Sequence, residues 1–146
     1  MPNKLLEQAR LVCQKNGVRF TPVREQVFSL LADATGSVGA YELLTQLQQT
    51  DAKAKPPTIY RALEFLIDQG FVHKVESQNA YVLCSHFSEH HKAQLLICDS
   101  CGLVEEIENQ TIYTALSNAA HKTGFTILKP TIEAHGLCAK CAEENP

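Results

Sequence analysis

No stretch of this chain approaches the roughly 20 apolar residues that a membrane-spanning helix requires. The opening Met1-Pro2-Asn3-Lys4-Leu5-Leu6-Glu7 has no apolar run of signal-peptide length. The expected setting is therefore a reducing cytosol, which disfavours structural disulfides. Catalytic signatures are missing as well: there is no His-Glu-x-x-His pair, no nucleophile elbow and no phosphate-cradling loop. The expectation is a protein that is not an enzyme and has no organic substrate; a hydrolytic zinc site with a Glu base is the catalytic alternative. Internal repeats and low-complexity tracts are absent too.

Strong positive charge is also lacking. The net charge is −3, unevenly divided: residues 1–84 hold nine Lys and Arg against eight Asp and Glu, and residues 85–146 hold four against eight. The sign of that gradient assigns any nucleic-acid contact to the first half. A composition 45% hydrophobic and 20% charged is globular, and 146 residues allow one ordinary domain or two small ones.

What the chain does have is six cysteines, four of them in two Cys-x-x-Cys knuckles, Cys98/Cys101 and Cys138/Cys141. Together they supply the four soft ligands that hold zinc tetrahedrally, with a pair of disulfides as the alternative. The 36 residues between Cys101 and Cys138 exceed the loop of a compact zinc ribbon, so a folded unit must bring the knuckles together.

Hydrophobic spacing predicts four helices in the first half. Lys4 to Lys15 carries Leu5, Ala9 and Val12 and stops at Gly17; Cys13 reads there as a packed small hydrophobe. Thr21-Pro22 caps a second helix running to about Asp33. After a Gly36-Ser37-Val38-Gly39 turn, Tyr41 to Gln49 is a third, and Pro56-Pro57-Thr58 opens a fourth that ends at Gly70. Phe71 to Val75 and Ala80 to Leu83 then read as a hairpin about a Glu76-Ser77-Gln78-Asn79 turn. Helices followed by a hairpin describe a winged helix-turn-helix.

Residues 85–92 are a polar, His-rich hinge between a first domain, 1–84, and a second, 93–146. In the second, Ala93 to Cys98 and Gly102 to Ile107 read as strands, Thr111 to Lys122 as a helix and Phe125 to Glu133 as a further strand. The expected fold class is α+β, a winged helix followed by a small α/β unit with the knuckles at strand ends.

Gly17-Val18-Arg19-Phe20-Thr21-Pro22-Val23-Arg24, Pro57-Thr58-Ile59-Tyr60-Arg61-Ala62-Leu63 and the two knuckles, the second introduced by Gly136-Leu137, resemble the ferric uptake regulator family over nearly the whole chain. Gly70 to Ser77 and Ile132 to Cys138 are most similar to its zinc-sensing branch. The resemblance implies a dimeric, metal-responsive transcriptional repressor. Its partners would be a second copy of the chain and a double-stranded DNA operator, an inverted repeat near zinc-uptake genes. The second domain would be the dimerisation domain.

A closed four-thiolate site suits permanence rather than sensing, so a second, regulatory zinc is expected in each chain. His73, Cys84, His91 and Glu106 fall where the resemblance puts its ligands, and the sulfur of Cys84 favours zinc over iron. An iron- or peroxide-responsive repressor of the same family is the alternative. Each ligand also has a plain reading: a solvated His, a small core Cys, a strand-end Glu. His86, His90, Glu105 and His121 are candidates for an additional metal site. His135 is expected to be structural or to support the metal site rather than to ligate.

For base reading the candidate is Arg61, whose fork matches a guanine edge, or which pairs with Glu64 instead. Tyr41 and Tyr60 are candidates for apolar or phosphate contact, or for half-buried packing. Thr58 lies at the start of the same helix. Lys15, Arg19, Arg24, Lys53, Lys55 and Lys74 are the candidate phosphate contacts, unranked by charge alone.

Overall fold

The computed structural model describes residues 2–84, 87 and 93–144. The chain divides into two compact units, Met1–His90 and His91–Pro146.

In the first unit, helix α1 (Pro2–Asn16) ends where Gly17 turns left-handed, at φ +67°. There the Val18 N–H donates to the Cys13 carbonyl at 3.0 Å, closing a last turn that a side chain with a Cβ would strain. Helix α2 (Pro22–Asp33) starts on the expected cap: the Thr21 side chain accepts from the Arg24 N–H, and Pro22 takes the first position, where no donor is needed. Helix α3 (Ala40–Leu47) and helix α4 (Pro56–Asp68) follow. The wing is β2 (Val72–Val75) and β3 (Ala80–Leu83), antiparallel, joined by a single 3-10 turn at Glu76–Gln78 and by Asn79 at φ +48°.

The Gly36-to-Gly39 segment, expected as a turn, contributes a short strand β1 (Val38–Gly39) that pairs with β3, giving the order β1-β3-β2. No local pattern announces two residues whose pairing partners lie about forty positions away; the open edge of β3 recruits them.

The core of this unit lies between the helices and the wing. Val27, Phe28, Leu43, Leu63, Leu66 and Phe71 are fully buried. Phe28 is its hub: its ring meets Phe20, Phe71 and Phe87 edge-on at 6.0, 5.8 and 5.9 Å between centroids. Cys13 packs into the same core, as expected, and burial pushes its thiol up from the ordinary range.

In the second unit, β4 (Gln94–Cys98) is the central strand of the order β5-β4-β6. It pairs antiparallel with β5 (Val104–Ile107) and parallel with β6 (Ile132–Gly136). Helix α5 (Gln110–Lys122) starts on Asn109, whose side chain accepts from the N–H groups of Thr111 and Ile112, and provides the crossover that a parallel pair needs. A short helix α6 (Ala139–Glu144) follows β6.

Two differences from expectation stand out. The strand expected over Phe125 to Glu133 begins only at Ile132, because Pro130 has no N–H to give a ladder; Phe125 and Leu128 are 67% and 93% exposed. Helix α6 was not expected, being too short to show a period.

Among the described residues, seven of the eleven exposed large hydrophobics belong to the second unit, and α5 has no buried residue. A single copy of this unit thus leaves much of its apolar surface in water. No described helix is long and apolar enough to cross a membrane.

Phe28→Ala should cost about 3–5 kcal/mol, the range for emptying a buried aromatic site. Urea denaturation followed by circular dichroism checks this; a loss below about 1 kcal/mol would mean that the Phe cluster does not hold the first unit together.

Candidate metal centres and nucleic-acid surface

Strand register brings the knuckles together. In the parallel β4/β6 pair, Cys98 stands opposite Gly136, two residues before Cys138. The pairing runs one step further, with the Asp99 N–H on the Gly136 carbonyl at 2.8 Å. Both strands therefore deliver a cysteine at the same end of the sheet. The first knuckle folds back through Gly102, at φ +82°, whose N–H reaches the Cys98 carbonyl at 3.0 Å. The second runs into α6, whose first turn carries Cys141 into a buried position.

The four sulfurs lie within 4.8 Å of one another, and Cys101 Sγ is 3.8 Å from Cys138 Sγ. A tetrahedral ion with Zn–S bonds of about 2.3 Å has sulfur–sulfur edges of about 3.8 Å, so the cluster fits zinc after a small contraction. No disulfide is formed among the described residues.

The electrostatics ask for a cation. N–H groups of Cys101 and then Cys138 hold the Cys98 thiol down to about 6, against the effect of burial. At Cys141 a hydrogen bond with Ser100 is the largest single influence and lowers the pKa. The neighbouring sulfurs and burial together outweigh it and push the thiol up to about 12. Four sulfurs this close cannot all ionise on their own, and a divalent ion removes the conflict. Beside them His135 Nδ1 meets Asp99 Oδ1 at 2.9 Å. His135 was expected to be structural or supporting; its partner Asp99, inside the first knuckle, had no signal beyond its place between two cysteines.

A second pair of donors forms at the root of the wing. His73 lies on β2 opposite Val82, and Cys84 follows β3, its N–H on the Phe71 carbonyl at 2.7 Å. Their ligand atoms lie within 4.8 Å of each other, with Cys84 fully buried and His73 Nε2 buried. The hairpin register explains the pairing of residues eleven positions apart.

In the second unit, Glu106 stands opposite Leu95 and is half-buried, whereas Glu105 stands opposite Leu96 and is exposed. Successive strand residues face opposite sides, so the two adjacent glutamates cannot serve one site. His91, and of the additional set His86 and His90, lie outside the described residues; Glu105 is on β5 and His121 is exposed in the last turn of α5.

On the first unit, α4 buries Ile59, Ala62, Leu63 and Leu66 and leaves Tyr60 and Arg61 outside; Tyr41, at the start of α3, is 70% exposed. Thr58 has a structural task that the sequence reading missed, its hydroxyl accepting from the Lys55 N–H at 3.2 Å to cap α4. The basic residues now separate. Lys15, Arg19, Lys53 and Lys55 are exposed; Lys74 lies 3.7 Å from a Glu76 carboxylate oxygen. Arg24 is half-buried with its guanidinium over the Phe65 ring.

A winged helix joined to a small α/β unit with a four-cysteine cluster defines a metal-binding protein of the helix-turn-helix class. Residues 15–135 match the ferric uptake regulator family, and the chain belongs to it. It is 47% identical to the zinc uptake regulation protein of Escherichia coli (strain K12), over 96% of this chain and 82% of that one. Among solved structures it is similar to a zinc uptake regulator complexed with zinc and DNA, with a TM-score of 0.93 at 46% identity, covering 99% of this chain and 97% of that chain. A holo XcZur crystal structure matches with a TM-score of 0.87 at 44% identity, covering 97% and 99%.

Cys138→Ser should remove one tightly held zinc per chain and destabilise the second unit, since zinc-coupled folding energy is lost with the ligand. Metal analysis after gel filtration, with a thermal melt, reads both; a variant with undiminished zinc would dismiss the four-cysteine site.

Proposed function

We propose that this protein is a zinc-responsive transcriptional repressor, acting in the cytoplasm as a homodimer on inverted-repeat operators of zinc-uptake genes. The observation that carries the reading is the His73 and Cys84 pair at the wing root, a nitrogen and a soft sulfur within 4.8 Å on the DNA-binding unit itself. The similarity to a zinc uptake regulator complexed with zinc and DNA supports it. Each chain holds two zinc ions in this reading, a permanent one at Cys98, Cys101, Cys138 and Cys141 and a regulatory one at His73, Cys84, His91 and Glu106.

The mechanism follows from where those ligands sit in the chain. His73 and Cys84 belong to the wing and its exit, His91 to the hinge and Glu106 to β5, so one ion held by all four ties these segments together. Zinc favours one arrangement of those segments and raises the population competent for DNA. The exposed apolar surface of the second unit is what a partner copy would cover. A two-fold pair presents two α4 helices, which calls for two half-sites in inverted repeat. In each groove Arg61 donates to a base edge, Tyr41 and Tyr60 pack beside it, and Lys15 and Arg19 meet phosphates.

Cys84→Ser should abolish DNA binding that depends on zinc while leaving one zinc per chain. Fluorescence anisotropy across buffered free zinc is the measurement; full binding by the variant, or restoration of the stripped wild type by Fe(II) alone, would replace the zinc reading with an iron-responsive one. Arg61→Ala should weaken operator binding by about 1–3 kcal/mol. An unchanged affinity would remove Arg61 from base reading.

A further inference from the structure

We infer that Arg24 is a positioning residue for DNA binding rather than a phosphate contact. It clamps α4, the recognition helix of the function proposed above, to the segment that carries Arg19. This deepens the function proposed above and rests on its DNA-binding reading.

Arg24 lies in the first turn of α2 and reaches in two directions. Its guanidinium carbon sits 3.8 Å from the centre of the Phe65 ring, on α4. Its Nη1 donates to the main-chain carbonyl of Arg19, in the connection between α1 and α2. The Arg24 N–H completes the local tie by donating to the Thr21 hydroxyl at 3.4 Å. Phe65 also stacks on Phe20, one residue after Arg19, at 6.3 Å and 27° between planes. One side chain therefore joins the helix that exposes Arg61 to the loop that exposes Arg19. A planar guanidinium does both tasks at once: its face covers the ring while its edge donates, which an ammonium cannot reproduce.

The setting is wrong for a phosphate contact. Arg24 is half-buried, its ring-facing guanidinium lies over Phe65 and its Nη1 donates to the Arg19 carbonyl, whereas Arg19 and Lys15 are exposed. The two roles have different ionic signatures. Removing a phosphate contact lowers the dependence of log affinity on log salt by about 0.9 per bound subunit; removing a positioning residue weakens binding at all salt concentrations and leaves that slope alone.

The test uses full-length zinc-loaded protein and a duplex recovered by the wild type from a randomised pool in the presence of zinc. Anisotropy titrations over a salt series compare wild type, Arg19→Ala, Arg24→Met, Arg24→Lys and Phe65→Leu, each below its own melting onset. Arg24→Met and Arg24→Lys should bind roughly three- to tenfold more weakly, the scale of a partly desolvated cation–π contact, with the wild-type slope. Arg19→Ala should show the lowered slope. Phe65→Leu keeps apolar bulk and the Arg24 charge, yet should match the Arg24→Met loss, and the double variant should be no weaker than the weaker single one.

A slope lowered by about 0.9 per subunit in Arg24→Met, or full affinity in Arg24→Lys, would make Arg24 a phosphate contact and overturn the inference. Wild-type affinity in Phe65→Leu would do the same, and stands as the deciding result if Arg24→Met does not fold. A wild type that retains no duplex at any zinc concentration would instead strike down the DNA-binding reading, and the inference with it.

Discussion

The parallel pairing of β4 with β6 is the constraint on which the second unit depends. Its register sets Cys98 against Gly136, and from that one alignment the two knuckles converge at one end of the sheet. A shift of a single residue would turn every side chain of β6 to the other face and carry Cys138 away from Cys98. The register collects the sulfurs, and an ion bound among them would in turn hold the ends of β4 and β6 together. Such an ion would compensate for a thin core. The unit's described buried residues are few, chiefly Leu95, Ile97, Cys98 and Cys141, too little for independent stability in about fifty residues.

The first unit is held differently. Its four helices close over a core centred on edge-to-face phenylalanines. In the reading proposed above, permanence and response are divided between a closed cluster of four sulfurs and a mixed donor set.

The helices and both knuckles were legible in the order of residues, because each is a local matter. Thr21-Pro22 caps α2 by its own side chain and ring, Gly17 ends α1 by its own backbone freedom, and Cys-x-x-Cys spacing is itself a chelate. The family was legible too, through motifs that repeat those local devices in a fixed order. Of the two misread segments one was governed from a distance and the other by a local residue passed over in the sequence. Val38–Gly39 becomes a strand because β3 offers an edge, and Pro130 delays β6 beyond the point where its apolar residues begin.

Side-chain roles divided along the same line. Residue types in the chain determined that thiolates, imidazoles and an arginine fork were available and which chemistry each would suit, since that follows from composition and spacing. Whether a given group is spent inside the molecule or presented outward required the folded arrangement. Lys15, Arg19 and Arg24 are equivalent as charges, yet two stand in solvent and the third lies over Phe65. Glu105 and Glu106 are adjacent and alike, yet the pleat turns them to opposite faces. Partners such as Phe65 and Arg24 are far apart in sequence, and only packing decides which distant residues meet.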